Sequence, residues 1–212
     1  MTMTGPPPPR LILIGGGARS GKSRLGLACA HALGNRRLFI ATAERSDDEM
    51  RERIARHRAD RDGAGFDTLE EPRALAEAID ADRDHDVVLV DCLTIWISNL
   101  LVAGAPADAV QERVGALLAV LARRRSHVVI VSNEVGMGLV PETPLGRVFR
   151  DVTGLAHQRL AAVADELYLA AMGVLLRLRP GPVEIVTWSR AAERGFAARS
   201  SSRGARDPSG VP

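Results

Sequence analysis

Lysine is almost absent from this chain: of its twenty-eight basic residues only Lys22 is a lysine, and it stands in the stretch LILIGGGARSGKSRLGLA. Arginine and lysine carry the same charge, but one is a wide planar fork and the other a compact ammonium on a thin stem. A position that takes the lone lysine of an arginine-rich chain is a narrow one. Cysteine is scarce too. Cys29 and Cys92 show neither metal-ligand spacing nor a disulfide framework, and each sits among aliphatic residues, so both are expected to be buried thiols. No hydrophobic run approaches the ~20 residues that cross a bilayer, so no membrane span is expected. The segment MTMTGPPPPR lacks the charged and apolar regions of a signal peptide, and a cytoplasmic protein is expected. Nor is there a concentrated basic block: the formal net charge is +2, which argues against nucleic acid as the main partner but not against phosphate. No internal repeat is present.

What remains is an ordinary globular composition, 46% hydrophobic and 25% charged, enough for one core in one domain over residues 10–179. Pro6 to Pro9 cannot join a sheet or continue a helix, so residues 1–9 read as an extended lead-in. Residues 180–212 read as a partly disordered tail, because AARSSSRGARDPSGVP has almost nothing to bury, although VEIVTW from Val183 could form an edge strand. Between these lie four unalternating apolar runs, RLILIG, RLFIAT, DVVLVD and HVVIVS, which suit strands covered on both faces, with ELYLAAM a fifth. Helical character fills residues 24–33, 47–61, 72–81, 107–125 and 145–164. This alternation predicts an α/β fold, a mostly parallel sheet flanked by helices with its site at the carboxyl ends of the strands. At those ends stand GGARSGKS, ATAERS, DCLT and SNEVGMG.

Gly16, Gly21, Lys22 and Ser23 fit the pattern GxxxxGK followed by Ser or Thr, between an expected strand and an expected helix, which makes the fold P-loop NTPase-like. In such a loop, here Gly16, Gly17, Ala18, Arg19, Ser20, Gly21, Lys22 and Ser23, backbone N–H groups curl toward phosphate oxygens. The lysine reaches the β and γ phosphates and the serine hydroxyl ligates Mg²⁺. ATP or GTP with Mg²⁺ is the expected ligand, and a tight loop around phosphate has no room for a guanidinium fork. The other reading is a glycine-rich turn that fits by accident. Asp91, which ends DVVLVD, is either the acidic partner that holds Mg²⁺ through water or a helix N-cap.

Ser46 and Glu49 form a capping box that opens a helix carrying DDEMRERIARHRADR, where Met50, Ile54, His57 and Arg61 share one face. His57 either packs at the edge of that stripe or acts as a nucleophile. Arg53, Arg56, Arg58 and Arg61 favour the second role, because their charge keeps the imidazole neutral and holds an incoming polyphosphate. His31, His85, His127 and His157 carry no assigned chemistry.

Taken in order, GGARSGKS, ATAERSDDEMRERIARHRADR, TLEEP, VLVDCLTIWISNLL, VSNEVGMGLVPETPLGRVFRDVTG and LAAVADELYLAAMG resemble the bifunctional adenosylcobinamide kinase and adenosylcobinamide-phosphate guanylyltransferase family of cobalamin assembly. The resemblance runs over residues 10–178. It implies that ATP or GTP phosphorylates the aminopropanol hydroxyl of adenosylcobinamide. GTP then donates GMP to that phosphate, releasing pyrophosphate, through a guanylyl-histidine that maps onto His57. It also implies nucleotide contacts at the residue 16–23 loop, at Ala41, Thr42 and Ala43, at Arg58, Ala59, Asp60 and Arg61, at Glu70 and at Asp91, and a homotrimer with sites near subunit boundaries. Glu70, in TLEEP, could instead be an acid at a helix start ahead of Pro72. Asn133 and Glu134 follow a strand end, where a carboxylate could orient a hydroxyl or a metal-bound water. The chain departs from the family's usual pattern at His157 and in its extension beyond Arg179. Two further readings stand beside this one: a monofunctional P-loop kinase with a structural His57, and a GTP-binding switch whose SNEVGMG loop responds to the γ phosphate.

Overall fold

A computed structural model describes residues 8–44 and 65–186. His57, with the expected helix around it and the candidates Arg58, Ala59, Asp60 and Arg61, lies outside the described residues, as does the end of the tail.

The chain begins with β1 (Leu11–Gly16), whose first four side chains are all buried, as an unalternating run requires when both faces of a strand are covered. There follow α1 (Lys22–Leu33), β2 (Arg37–Ala41), β3 (Phe66–Glu70), α2 (Leu75–Ala81), β4 (Val87–Asp91), α3 (Leu93–Val102), α4 (Ala107–Ala122), β5 (His127–Asn133), α5 (Pro144–Val163), β6 (Glu166–Ala171), β7 (Val174–Arg179) and β8 (Glu184–Val186). The strands form one sheet in the order β3-β2-β4-β5-β1-β6-β7-β8. The first six in that order run parallel, with β1 held between β5 and β6. Met172 and Gly173, both at positive φ (50° and 77°), then turn the chain into an antiparallel β7, and β8 pairs antiparallel to it. Among the described residues β3 and β8 are the two rims.

Side chains alternate between the faces with the period of a strand. Ile12, Ile14, Leu89 and Val131 pack under α1, against Leu25, Cys29 and Ala30. Leu11, Leu13, Val88 and Val90 point the other way, into a layer made by α2, α3, α4 and α5 around Trp96, Leu117 and Leu160. α1 lies unusually close to the sheet: a Cβ built on Gly26 would stand 2.8 Å from Val131 Cγ2 and 3.1 Å from Leu89 Cδ1.

Several elements differ from expectation. β3 occupies FDTLE, where four of five side chains are exposed and no apolar run announces a strand. α3 fills LTIWISNLLV, a stretch whose apolar residues face both the sheet and its neighbours and so show no helical stripe. β7 fills VLLRLR, a stretch not among the expected strands. α2 starts at Leu75 rather than residue 72, because the Glu71 carboxylate accepts from the N–H groups of Arg73 (2.9 Å) and Ala74 (2.7 Å). Glu71 is thus the acid that caps the turn, and Glu70, the residue weighed for that role, is the last residue of β3. At the amino end of the sheet, His85 donates from both ring nitrogens, to Asp82 at 2.6 Å and to Asp67 at 2.9 Å. Two carboxylates facing one imidazole favour its charged form, in which both ring nitrogens donate.

Candidate active site

β1 delivers the chain to Gly16, whose φ is 156° and where a Cβ would lie 2.5 Å from the Ala170 carbonyl oxygen. No other residue fits that close approach. The loop then curls back: Ser20 N–H donates to Gly17 O at 3.3 Å, Arg19 takes a positive φ of 56°, and Gly21 at φ 91° leads into α1. No side chain caps α1, so the N–H groups of its first turn are left to the loop's concave side. Lys22 is buried, and its Nζ donates to Gly17 O at 2.8 Å across the same loop. Residues 16–23 thereby gather backbone donors, a helix N-terminus and one ammonium in one place, which is the chemistry of a phosphate cradle.

Ala41, Thr42 and Ala43 leave β2 beside Asp91, which ends β4. Thr42 is fully enclosed; its hydroxyl donates to Cys92 O and accepts from Cys92 N–H, each at 2.8 Å. It ties two strand ends together and forms the floor of the cleft. Asn99, on α3, holds the same corner by donating to Thr42 O at 2.7 Å and Pro72 O at 3.0 Å. Glu44 pairs with Arg73 at 2.9 Å where the chain leaves toward the His57 segment. Glu70 stands opposite Ala41 in register. It is four strand steps from β1, on the order of 19 Å. The candidate set therefore divides into a cradle on β1 and an outlying group on β2 and β3, with Asp91 between them.

Asn133 lies opposite Gly16, and its backbone N–H (3.2 Å) and side-chain amide (2.9 Å) both donate to Thr94 Oγ1. Glu134 N–H donates to Gly16 O at 2.9 Å, which fastens this strand end to the loop. Ser132, the residue before them, meets His157 of α5 at 2.6 Å. Thr94, Asn99, Ser132 and His157 were not among the sequence candidates. Thr94 and Ser132 lie in the marked strand-end stretches DCLT and SNEVGMG, and His157 was noted as a departure from the family pattern, but none of the four was given a role.

Burial raises the thiol pKa of both Cys29 and Cys92, as expected of inert buried cysteines. Burial likewise lowers that of His157, against the opposing charge of Glu134. Among the described residues no three His, Cys, Asp or Glu side chains are grouped so as to hold a metal ion by themselves. The Ser23 hydroxyl and the Asp91 carboxylate are hard oxygen donors of the kind Mg²⁺ takes when phosphates and waters complete its shell. The residues present therefore fit that ion. No helix among the described residues is long and apolar enough to cross a membrane.

Residues 12–178 match the family model described as cobinamide kinase / cobinamide phosphate guanyltransferase. The bifunctional adenosylcobalamin biosynthesis protein CobP of Pseudomonas aeruginosa is 42% identical over 172 residues, spanning 81% of this chain and 98% of that protein. The bifunctional adenosylcobalamin biosynthesis protein CobU of Salmonella typhimurium is 40% identical over 184 residues (80% of this chain, 99% of that one), and its namesake from Escherichia coli is 40% identical over 185 (80% and 99%). With a family match across most of its length and relatives this similar end to end, the chain belongs to the cobinamide kinase and cobinamide phosphate guanyltransferase family.

Proposed function

We propose that this protein phosphorylates adenosylcobinamide with ATP or GTP and then transfers GMP from GTP to the resulting phosphate, giving adenosylcobinamide-GDP and pyrophosphate. The observation that carries this reading is the strand, loop and helix of residues 11–33, with Lys22 turned into its own loop, inside a chain of this family. The residue 16–23 loop holds the triphosphate, and Lys22 neutralises charge on its β and γ phosphates. Ser23 and Asp91 hold Mg²⁺, which when bound withdraws charge from the phosphate oxygens. Residues 41–43, 58–61 and Glu70 contact nucleotide outside the cradle.

In the second step an imidazole nitrogen of His57 attacks the α phosphorus of GTP. The bond from that phosphorus to the β-phosphate oxygen breaks and pyrophosphate leaves. An oxygen of adenosylcobinamide phosphate then attacks the same phosphorus, the P–N bond breaks, and His57 is restored. Its support is the setting RIARHR, where arginines favour a neutral ring and an anionic partner.

The exposed apolar side chains of Met137, Leu139, Val140 and Leu145 support assembly into a homotrimer, since a contiguous stretch of this kind suits a contact between copies. Incubation with α-labelled GTP tests the covalent step. The protein should retain acid-labile, alkali-stable label, and His57→Ala should retain none; equal labelling of the two would refute the guanylyl-histidine.

A further inference from the structure

Ser132, His157 and Glu134 form a line of polar contacts beside the phosphate loop. Ser132 Oγ is 2.6 Å from His157 Nε2, and His157 Nδ1 is 3.8 Å from Glu134 Oε2. A hydroxyl, an imidazole and a carboxylate in a row have the composition of a nucleophilic triad. Here Ser132 is 0% exposed, so no substrate reaches its oxygen, whereas the Glu134 side chain is 26% exposed. The accessible end of the line is the carboxylate.

At 3.8 Å His157 Nδ1 and Glu134 Oε2 are too far apart for a direct hydrogen bond, but the negative carboxylate favours the tautomer with its ring hydrogen on Nδ1. Burial favours the neutral imidazole, which has one N–H, and Nε2 is then free to accept the Ser132 hydroxyl hydrogen. The buried serine thereby holds the ring in place from its far side. Glu134 is fixed at two further points: its backbone N–H donates to Gly16 O at 2.9 Å, and Oε1 accepts from Gly136 N–H at 2.6 Å. What is left for chemistry is Oε2, the oxygen that His157 faces, one strand from the cradle.

We propose that Glu134 is the base that takes the proton from the adenosylcobinamide hydroxyl during phosphoryl transfer, and that His157, locked by Ser132, is the positioning residue that aims it. The inference rests on the kinase half of the function proposed above. The step balances: the hydroxyl proton passes to Glu134 Oε2, the hydroxyl oxygen bonds to the γ phosphorus, the bond from that phosphorus to the β–γ bridging oxygen breaks, and a nucleoside diphosphate leaves.

A double-mutant cycle on the full chain tests it, with kcat and KM measured for transfer from ATP to adenosylcobinamide. Glu134→Gln should lower kcat by about 100-fold or more, within the range of general base catalysis. His157→Ala should lower it about tenfold, a misalignment effect, with the KM for ATP within about twofold of the wild type. The double variant should be no slower than Glu134→Gln alone, because His157 acts through that carboxylate. Penalties that multiply, or a His157→Ala enzyme with wild-type kcat, would overturn the assignment. Should His157→Ala fail to fold, Ser132→Ala, which releases the ring from its other end, takes its place in the cycle with the same two outcomes. A wild-type protein that transfers no phosphate to adenosylcobinamide would defeat the kinase reading itself; a competent wild type with multiplying penalties defeats this inference alone.

Discussion

Lys22 shows how one side chain can be both readable and testable. Its stem runs through a loop whose carbonyl at Gly17 lies 2.8 Å from Nζ, a fit that a planar guanidinium with five spread donors does not reproduce. Lys22→Arg should therefore fold normally by circular dichroism yet lose about 100-fold or more in phosphoryl transfer, as when one charge-stabilising donor is removed. Kinetics like the wild type's would show that the loop is wide enough for either cation. The cradle was legible because its eight residues are contiguous and their spacing is itself the geometry. The bonds that Thr42 and Ser132 make were opaque for the opposite reason, although Thr42 itself was a candidate. Their partners, Cys92 and His157, lie 50 and 25 positions away, and only the stacking of β2 on β4 and of α5 on the sheet brings them together.

Elements announce themselves when their burial is uniform. β1, β4 and β5 are covered on both faces, so hydrophobicity alone marked them, whereas β3 is a polar rim strand and α3 is apolar around most of its circumference. The contact between α1 and the sheet is close enough to measure by crowding it. Gly26→Val should destabilise the protein by about 1–3 kcal/mol in urea denaturation, the usual cost of overpacking, since even its Cβ would press on Val131 and Leu89. An unchanged midpoint would mean that α1 can lift away freely. The link between β3 and the turn before β4 is electrostatic. Burial works against charge on His85, but its hydrogen bonds to Asp82 and Asp67 outweigh that and raise its pKa. A raised folded-state value means that the native protein binds this proton more tightly than the unfolded chain does. The resulting stability is complete below the ordinary histidine value of about 6.5 and is lost as pH rises through the folded-state value. Denaturation midpoints should accordingly fall across that window in the wild type and be flatter in His85→Gln; parallel curves would remove His85 from the account.

At the scale of the molecule, alternating strands and helices made the parallel sheet and its cradle foreseeable, and the edge strand weighed at VEIVTW forms as β8, while the antiparallel β7 was beyond reach because its pairing depends on a two-residue turn at Met172 and Gly173. The assembly proposed for residues 137–145 predicts a particle of about three times the 22.7 kDa chain by light scattering, shifted toward smaller species by Leu139→Asp. A wild-type monomer at micromolar concentration would refute it. One feature of the sheet bears on how this protein survives at high concentration. Its interior strands are almost wholly aliphatic, the sort of ribbon onto which foreign backbone readily adds. Yet the border at β3 carries Asp67, Thr68 and Glu70 exposed, so an incoming chain meets acid there. Resistance to fibril growth is thus stored in the most polar of these strands, and replacing Asp67 with valine would strip acid from that border while leaving Glu70, the proposed nucleotide contact, in place.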